Sequence, residues 1–184
     1  LHSSLPARKL ALAGTLHAAA GAAFLALLLP WADQHLGVPP AGDARLALLL
    51  SCWGLGAMGG YSLLPVLLRR LGPVRLVRTG LVVSLVCGLG VVISTHWLPA
   101  VLIGLVWGAG HLVAAKAALY FLGRPARSAV LFLCRGLGPA MGATLAGALA
   151  ILSTPRAALA VPVALLTLAT LATPRPRFGA ESRS

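Results

Sequence analysis

Six long apolar runs, separated by short stretches rich in Gly, Pro and polar residues, dominate the chain. A helix rises 1.5 Å per residue, so about 20 apolar residues are enough to cross the roughly 30 Å hydrocarbon core of a bilayer. The runs reach that length over Leu10–Leu29, Leu46–Leu68, Leu76–Ser94, Leu98–Ala117, Ser128–Leu152 and Ala157–Thr173. Composition agrees, because 59% of residues are apolar, 10% are charged and mean hydropathy is +0.93, outside the range of ordinary soluble domains. The fold class expected is all-α: a polytopic membrane protein with six transmembrane helices occupying residues 10–173. Residues 1–9 form a short N-terminal segment and residues 174–184 a basic tail.

Orientation follows from the distribution of Lys and Arg, which are retained in cytoplasmic loops. Threading the chain through six spans puts Arg8, Lys9, Arg69, Arg70, Arg75, Arg78, Arg124, Arg127, Arg175, Arg177 and Arg183 on one side. The other side holds Arg45 and Arg156. Both termini are therefore expected in the cytoplasm of a multi-pass cell-membrane protein. The three acidic residues of the chain, Asp33, Asp43 and Glu181, all fall outside the spans, and Asp43 beside Arg45 reads as a loop coincidence.

Inside the bilayer, helices associate where small residues let backbones approach. The second span offers Gly56 and Gly60 at GxxxG spacing and the fifth offers Gly138 and Gly142, so these two helices are the candidates for close packing. Pro139 removes a backbone donor within the fifth span and is expected to bend it there. Arg135 lies seven residues beyond Ser128, about 10 Å into the fifth helix, where a charge turns toward protein or water or snorkels to the surface. His17 and His111, the latter beside Trp107 in sequence order, join it as polar candidates for lining a pathway. Trp31, Trp97 and Tyr120 are placed near the interfaces, as aromatic anchors.

Several function classes lose support. The basic residues lie between apolar runs rather than on one face of a soluble fold, which argues against nucleic acid as a partner. Cys52, Cys87 and Cys134 sit in apolar stretches without metal-ligand spacing, so neither a metal nor a disulfide framework is expected. No serine has a G-x-S-x-G setting and the spans lack paired carboxylates, so neither an enzyme nor a cofactor is expected.

The stretch GYSLLPVLLRRLGPVRLVRTGL, residues 60–81, carries a Gly-rich helix end, an arginine-rich turn and the next span. It resembles the loop between the second and third spans of the major facilitator superfamily, whose halves are six-helix bundles. Arg70-Leu71-Gly72 matches the Arg-x-Gly portion of that family's motif, with Arg75 and Arg78 as its later charges. Arg69 stands where the first-half motif has aspartate, so the pattern is closer to the degenerate second-half version. RGLGPAMGATLAG is similar to the Gly-rich helices of drug-exporting members, and LIGLVWGAGHLVAA to their fourth or tenth helix, with Trp107 in place of an arginine.

The resemblance implies half of an efflux-type secondary transporter, more specifically a C-terminal half, as does the opening Leu1. Its partners would be the lipid bilayer, a small-molecule substrate and a second six-helix half in the same longer chain or a homodimer. In that register the first and fourth spans face the substrate, which makes His17, Trp107 and His111 candidate cavity residues. The second and fifth meet the other half through their small-residue faces. Arg69, Arg70, Gly72, Arg75 and Arg78 then act as a cytoplasmic gate or anchor. A non-transporting six-span protein, such as an assembly factor or a degenerate remnant, is the alternative.

Overall fold

The computed structural model describes residues 5–121 and 133–173, and side chains from residue 8 onward apart from Phe121. Six helices long and apolar enough to cross a membrane make up the described chain. They are α1 (Leu5–Leu36), α2 (Ala44–Leu71), α3 (Pro73–Ile93), α4 (Trp97–Phe121), α5 (Leu133–Leu152) and α6 (Pro155–Ala172). The first five residues of α5, Leu133–Leu137, form a π turn, and α6 is interrupted at Leu159. Arg124, Arg127, Ser128 and the tail arginines lie outside the described residues.

Local signals set the helix ends. Gly37, at φ 60°, closes α1, and the Val38 amide donates to the Ala32 carbonyl at 3.1 Å. Asp43 caps α2 by accepting from the Arg45 amide at 2.8 Å, and the same carboxylate holds the Arg45 guanidinium in an ion pair. The proximity read as coincidence is therefore a helix cap. The Arg45 side chain, then its amide, hold the Asp43 carboxyl below the usual carboxylate range. Gly72, at φ 71°, ends α2, and Pro73 opens α3 directly, so the arginine-rich loop is a single-residue turn between two helices. Thr154 caps α6 by accepting from the Ala157 amide at 3.2 Å, with Pro155 as its first residue.

The helices pair in a pattern that repeats. α4 packs between α2 and α3, and α1 packs between α5 and α6; α1 meets α4 and α3 meets α6 across the middle. Exchanging α1, α2, α3 for α4, α5, α6 leaves this pattern unchanged. The sequence repeats in the same register: CWGLGAMGG at 52–60 matches CRGLGPAMG at 134–142, and Pro73 and Pro155 open the helices that follow. A unit of three spans returns the chain on the far side of the membrane, so the two units are inverted.

Glycines at matched positions build both seams. A Cβ on Gly56 would overlap the Leu105 carbonyl, and one on Gly60 would lie 2.7 Å from the Ala109 carbonyl oxygen. In the second unit a Cβ on Gly138 would lie 2.8 Å from the Thr15 carbonyl oxygen, and one on Gly142 would overlap that of Ala19. Both GxxxG pairs are thus buried within the bundle, against α4 and α1. They do not form an outward face for another half, because the close backbone approach they permit is already used internally. On α2 and α5 the glycines facing open space are Gly54, Gly59, Gly136 and Gly147.

Two apolar clusters fill the ends of the bundle. One gathers Phe24, Leu27, Trp31, Val91, Trp107 and Leu166; the other gathers Leu10, Leu64, Leu76, Leu81, Val113 and Ala117 near the arginine-rich end. Trp31 belongs to the first and is 1% exposed, so it is a core residue rather than an interfacial anchor.

Candidate functional site

The site begins where α1 crosses α4. Gly21 on α1, against the His111 ring, and Gly108 on α4, against the Trp53 carbonyl, let α1, α4 and α2 approach closely enough for their larger side chains to stack through the bundle. The His17 and His111 rings lie 4.1 Å apart, centroid to centroid. His17 Nε2 is 3.1 Å from Ser84 Oγ on α3, which satisfies one polar atom of a side chain only 2% exposed. The Trp53 ring of α2 packs on His111 at 4.7 Å. Ser84, His17, His111 and Trp53 therefore link α3, α1, α4 and α2 in one chain of contacts. The Nδ1 atom of His111 is buried and has no hydrogen-bond partner.

This chain floors a cavity of about 360 Å³, enough for a small organic molecule. Its lining includes His17, Trp53, His111, Lys116, Cys134 and Arg135. Its small-residue walls are Gly14, Ala18, Ala57, Ala115 and Ala118. Those on α1, α4 and α5 lie toward the N-terminal end of α1 and α5 and the C-terminal end of α4, the same end of the bundle as the Gly72 turn, while Trp53 and Ala57 come from the first half of α2. A shallower groove lined by Ala57, Met58, Tyr61, Ser62, Leu112 and Lys116 continues along α2 and α4.

Arg135 lines the cavity four residues before Pro139. A proline lacks the amide that the carbonyl four residues earlier would accept, and here that carbonyl belongs to Arg135. The helix answers with the π turn at Leu133–Leu137, which inserts extra backbone at the cavity wall. The expected bend at Pro139 thus takes the form of a local π turn. In α2 the matched residue is Ala57 and the helix stays regular.

Three of the four cavity residues expected from the sequence, His17, His111 and Arg135, come together here. Trp107 does not: it is 1% exposed, lies beneath the cavity and packs its ring on Phe24 at 4.6 Å. Trp53, Lys116 and Cys134 occupy the lining instead. The internal repeat would have pointed to Trp53, since it occupies the Arg135 position of the other unit. Arg69 and Arg70 end α2, where cations complement the helix dipole; Arg75 and Arg78 begin α3, and all four face outward, away from the cavity. Among the described residues no cluster of His, Cys, Asp and Glu is arranged to hold a metal ion, and Cys52, Cys87 and Cys134 are free thiols.

No protein-family model matches the chain, and no curated protein matches it significantly.

Proposed function

We propose that this six-span membrane protein is one half of a secondary transporter of the major facilitator type that moves small molecules by alternating access. The observation that carries the reading is the inverted repeat of three helices, with a cavity on the α1–α4 axis. Inverted repeats that rock around a central site are a recurrent construction among secondary transporters. In this reading the substrate meets His17, His111, Trp53 and Arg135, and efflux is the direction expected from the resemblance to drug exporters. The arginine-rich turn faces the cytoplasm, as do both termini, and Arg70 and Arg75 hold the helix ends as a gate.

The second six-helix half would cover α2 and α5. These are the least enclosed helices, with 28% and 17% of their spans buried against 33–50% for the others. Their outward surfaces carry Leu55, Met58 and Tyr61 on α2 and Leu137, Met141 and Leu145 on α5.

Ala18→Cys in a background lacking Cys52, Cys87 and Cys134 tests alternating access. Membrane-impermeant maleimide should reach this cavity residue from either face of oriented vesicles, and Arg70→Gln with Arg75→Gln should shift the balance between faces. The competing reading is a non-transporting six-span protein, favoured by the position of Asp33, the one carboxylate within the described spans, in the exposed last turns of α1 rather than at mid-membrane where it could couple transport to protons. Labelling from one face alone, unchanged by the arginine substitutions, would establish that reading instead.

A further inference from the structure

The cavity is unusual in its charge. Lys116 and Arg135 both line it, and among the described residues no acidic side chain does. Asp43 is paired with Arg45 at the opposite end of the bundle. Asp33 lies at that far end too, in the last turns of α1. The remaining acidic residue of the chain, Glu181, lies outside the described residues. Arg135 lies in the first described turn of α5 and keeps an exposed part, and two cations on one cavity repel each other and strengthen each other's demand for an anion.

The walls are of a different character. Trp53, Ala57, Leu112, Ala115 and Leu119 present aromatic and aliphatic surface, and the His111 ring lines the same space. The volume of about 360 Å³ suits a compact molecule rather than a lipid with full acyl chains. Resting on the transporter reading of the same site, we propose that the cavity takes a compact organic anion, its carboxylate, sulfonate or phosphate group toward Lys116 and Arg135 and its apolar body against Trp53 and Leu112. Arg135 offers a planar fork for two oxygens of the head group and Lys116 a point charge.

A matched ligand series tests this on the unaltered chain in nanodiscs of zwitterionic lipid. 2-Naphthoate, 2-naphthalenemethanol and 2-naphthylmethylamine share one apolar body and differ in head-group charge. Titration calorimetry should show 2-naphthoate binding at least about tenfold tighter than the alcohol, with the amine weakest, a tenfold ratio being about 1.4 kcal/mol. Equal binding of the three, or preference for the amine, overturns the proposal.

Lys116→Gln and Arg135→Gln should each remove most of the preference for the acid over the alcohol. Lys116→Arg and Arg135→Lys should retain it, and Arg70→Gln, outside the cavity, should leave it intact. Loss of preference in Arg70→Gln to the same degree as in Arg135→Gln would mean a diffuse surface effect and would sink the assignment. Adding phosphatidylglycerol to the nanodiscs separates the sources of the anion. Undiminished 2-naphthoate binding supports a soluble anion, and competitive loss assigns the site to a lipid head group and overturns the compact-ligand proposal. Tight, selective binding without flux in vesicles would refute the transporter reading and leave the anion site standing; flux of the alcohol without binding of the acid would do the reverse.

Discussion

The α2–α4 seam and the α1–α5 seam are two versions of one construction, and they differ where the cavity needs them to. In both, a Cys-x-Gly-Leu-Gly-x-x-x-Gly stretch lies along the partner helix, and the sulfur faces a glycine: Cys52 against Gly104, Cys134 against Gly14. The α2–α4 seam is glycine-lined from both sides, since a Cβ on Gly108 would overlap the Trp53 carbonyl. The matched residue in α1 is Ala18, which lines the cavity instead. The α1–α5 seam also contains Pro139 and the π turn that its counterpart lacks. Residues that hold backbones together are repeated, whereas those that face the cavity are not: Trp53 against Arg135, His17 against Trp107, His111 against Gly21. Packing constrains the first set equally in both units, whereas side chains that face the cavity are free of that constraint.

The largest expected effect comes from filling the seams. Gly56→Leu and Gly142→Leu should abolish the folded bundle, because the helices cannot approach with a side chain against a carbonyl. The milder Gly56→Ala and Gly142→Ala should each cost about 1–3 kcal/mol in reversible unfolding from bicelles. Equal losses would make the two seams energetic equivalents; a loss in only one would break the comparison.

Next comes the proline asymmetry. Ala57→Pro places in α2 what α5 already has, and should cost about 3 kcal/mol or more. Pro139→Ala should stabilise by about 1 kcal/mol as the Arg135 carbonyl regains a donor. It should also change the rate at which Cys134 reacts with maleimide, and an unchanged rate would show that the π turn does not depend on the proline.

Ser84→Ala probes the divergent set. It removes the partner of His17 Nε2 and should cost about 1–3 kcal/mol, the desolvation penalty of a buried unsatisfied group. Gly59→Ala, where nothing lies within 4 Å, should be neutral or stabilise by about 0.5–1 kcal/mol through helix propensity. The smallest effect belongs to Asp43→Asn. The folded carboxyl titrates below its unfolded value, so its support is fully present above the usual carboxylate range and lost as pH falls through the folded pKa. The difference between Asp43→Asn and the unaltered chain should therefore shrink on acidification and in high salt.

Much of this was legible in the residues. Span number and approximate limits follow from apolar length, because a lipid-facing backbone must satisfy its hydrogen bonds within a helix. The turns at Gly72-Pro73 and Thr154-Pro155 follow from residues that stop and restart helices. The repeat was also there to be read, in CWGLGAMGG and CRGLGPAMG, but counting glycines for GxxxG spacing conceals it; aligning the two spans reveals it. Its value lies in matching Trp53 with Arg135.

By itself, then, the sequence determined a six-helix membrane bundle, an end rich in arginine and a pair of glycine-built helices, because bilayer thickness and backbone hydrogen bonding leave few alternatives. Only the tertiary structure decided which helix each glycine face meets and which polar side chains share a space. Gly56 and Gly60 could serve an internal or an external partner with identical spacing, since a GxxxG face specifies close approach without specifying to what. Trp107 and Trp53 are both mid-span aromatics, and the rotation of each helix in its seam put one in the core and the other on the cavity. That rotation is set by contacts between residues far apart in the chain, which local pattern does not encode.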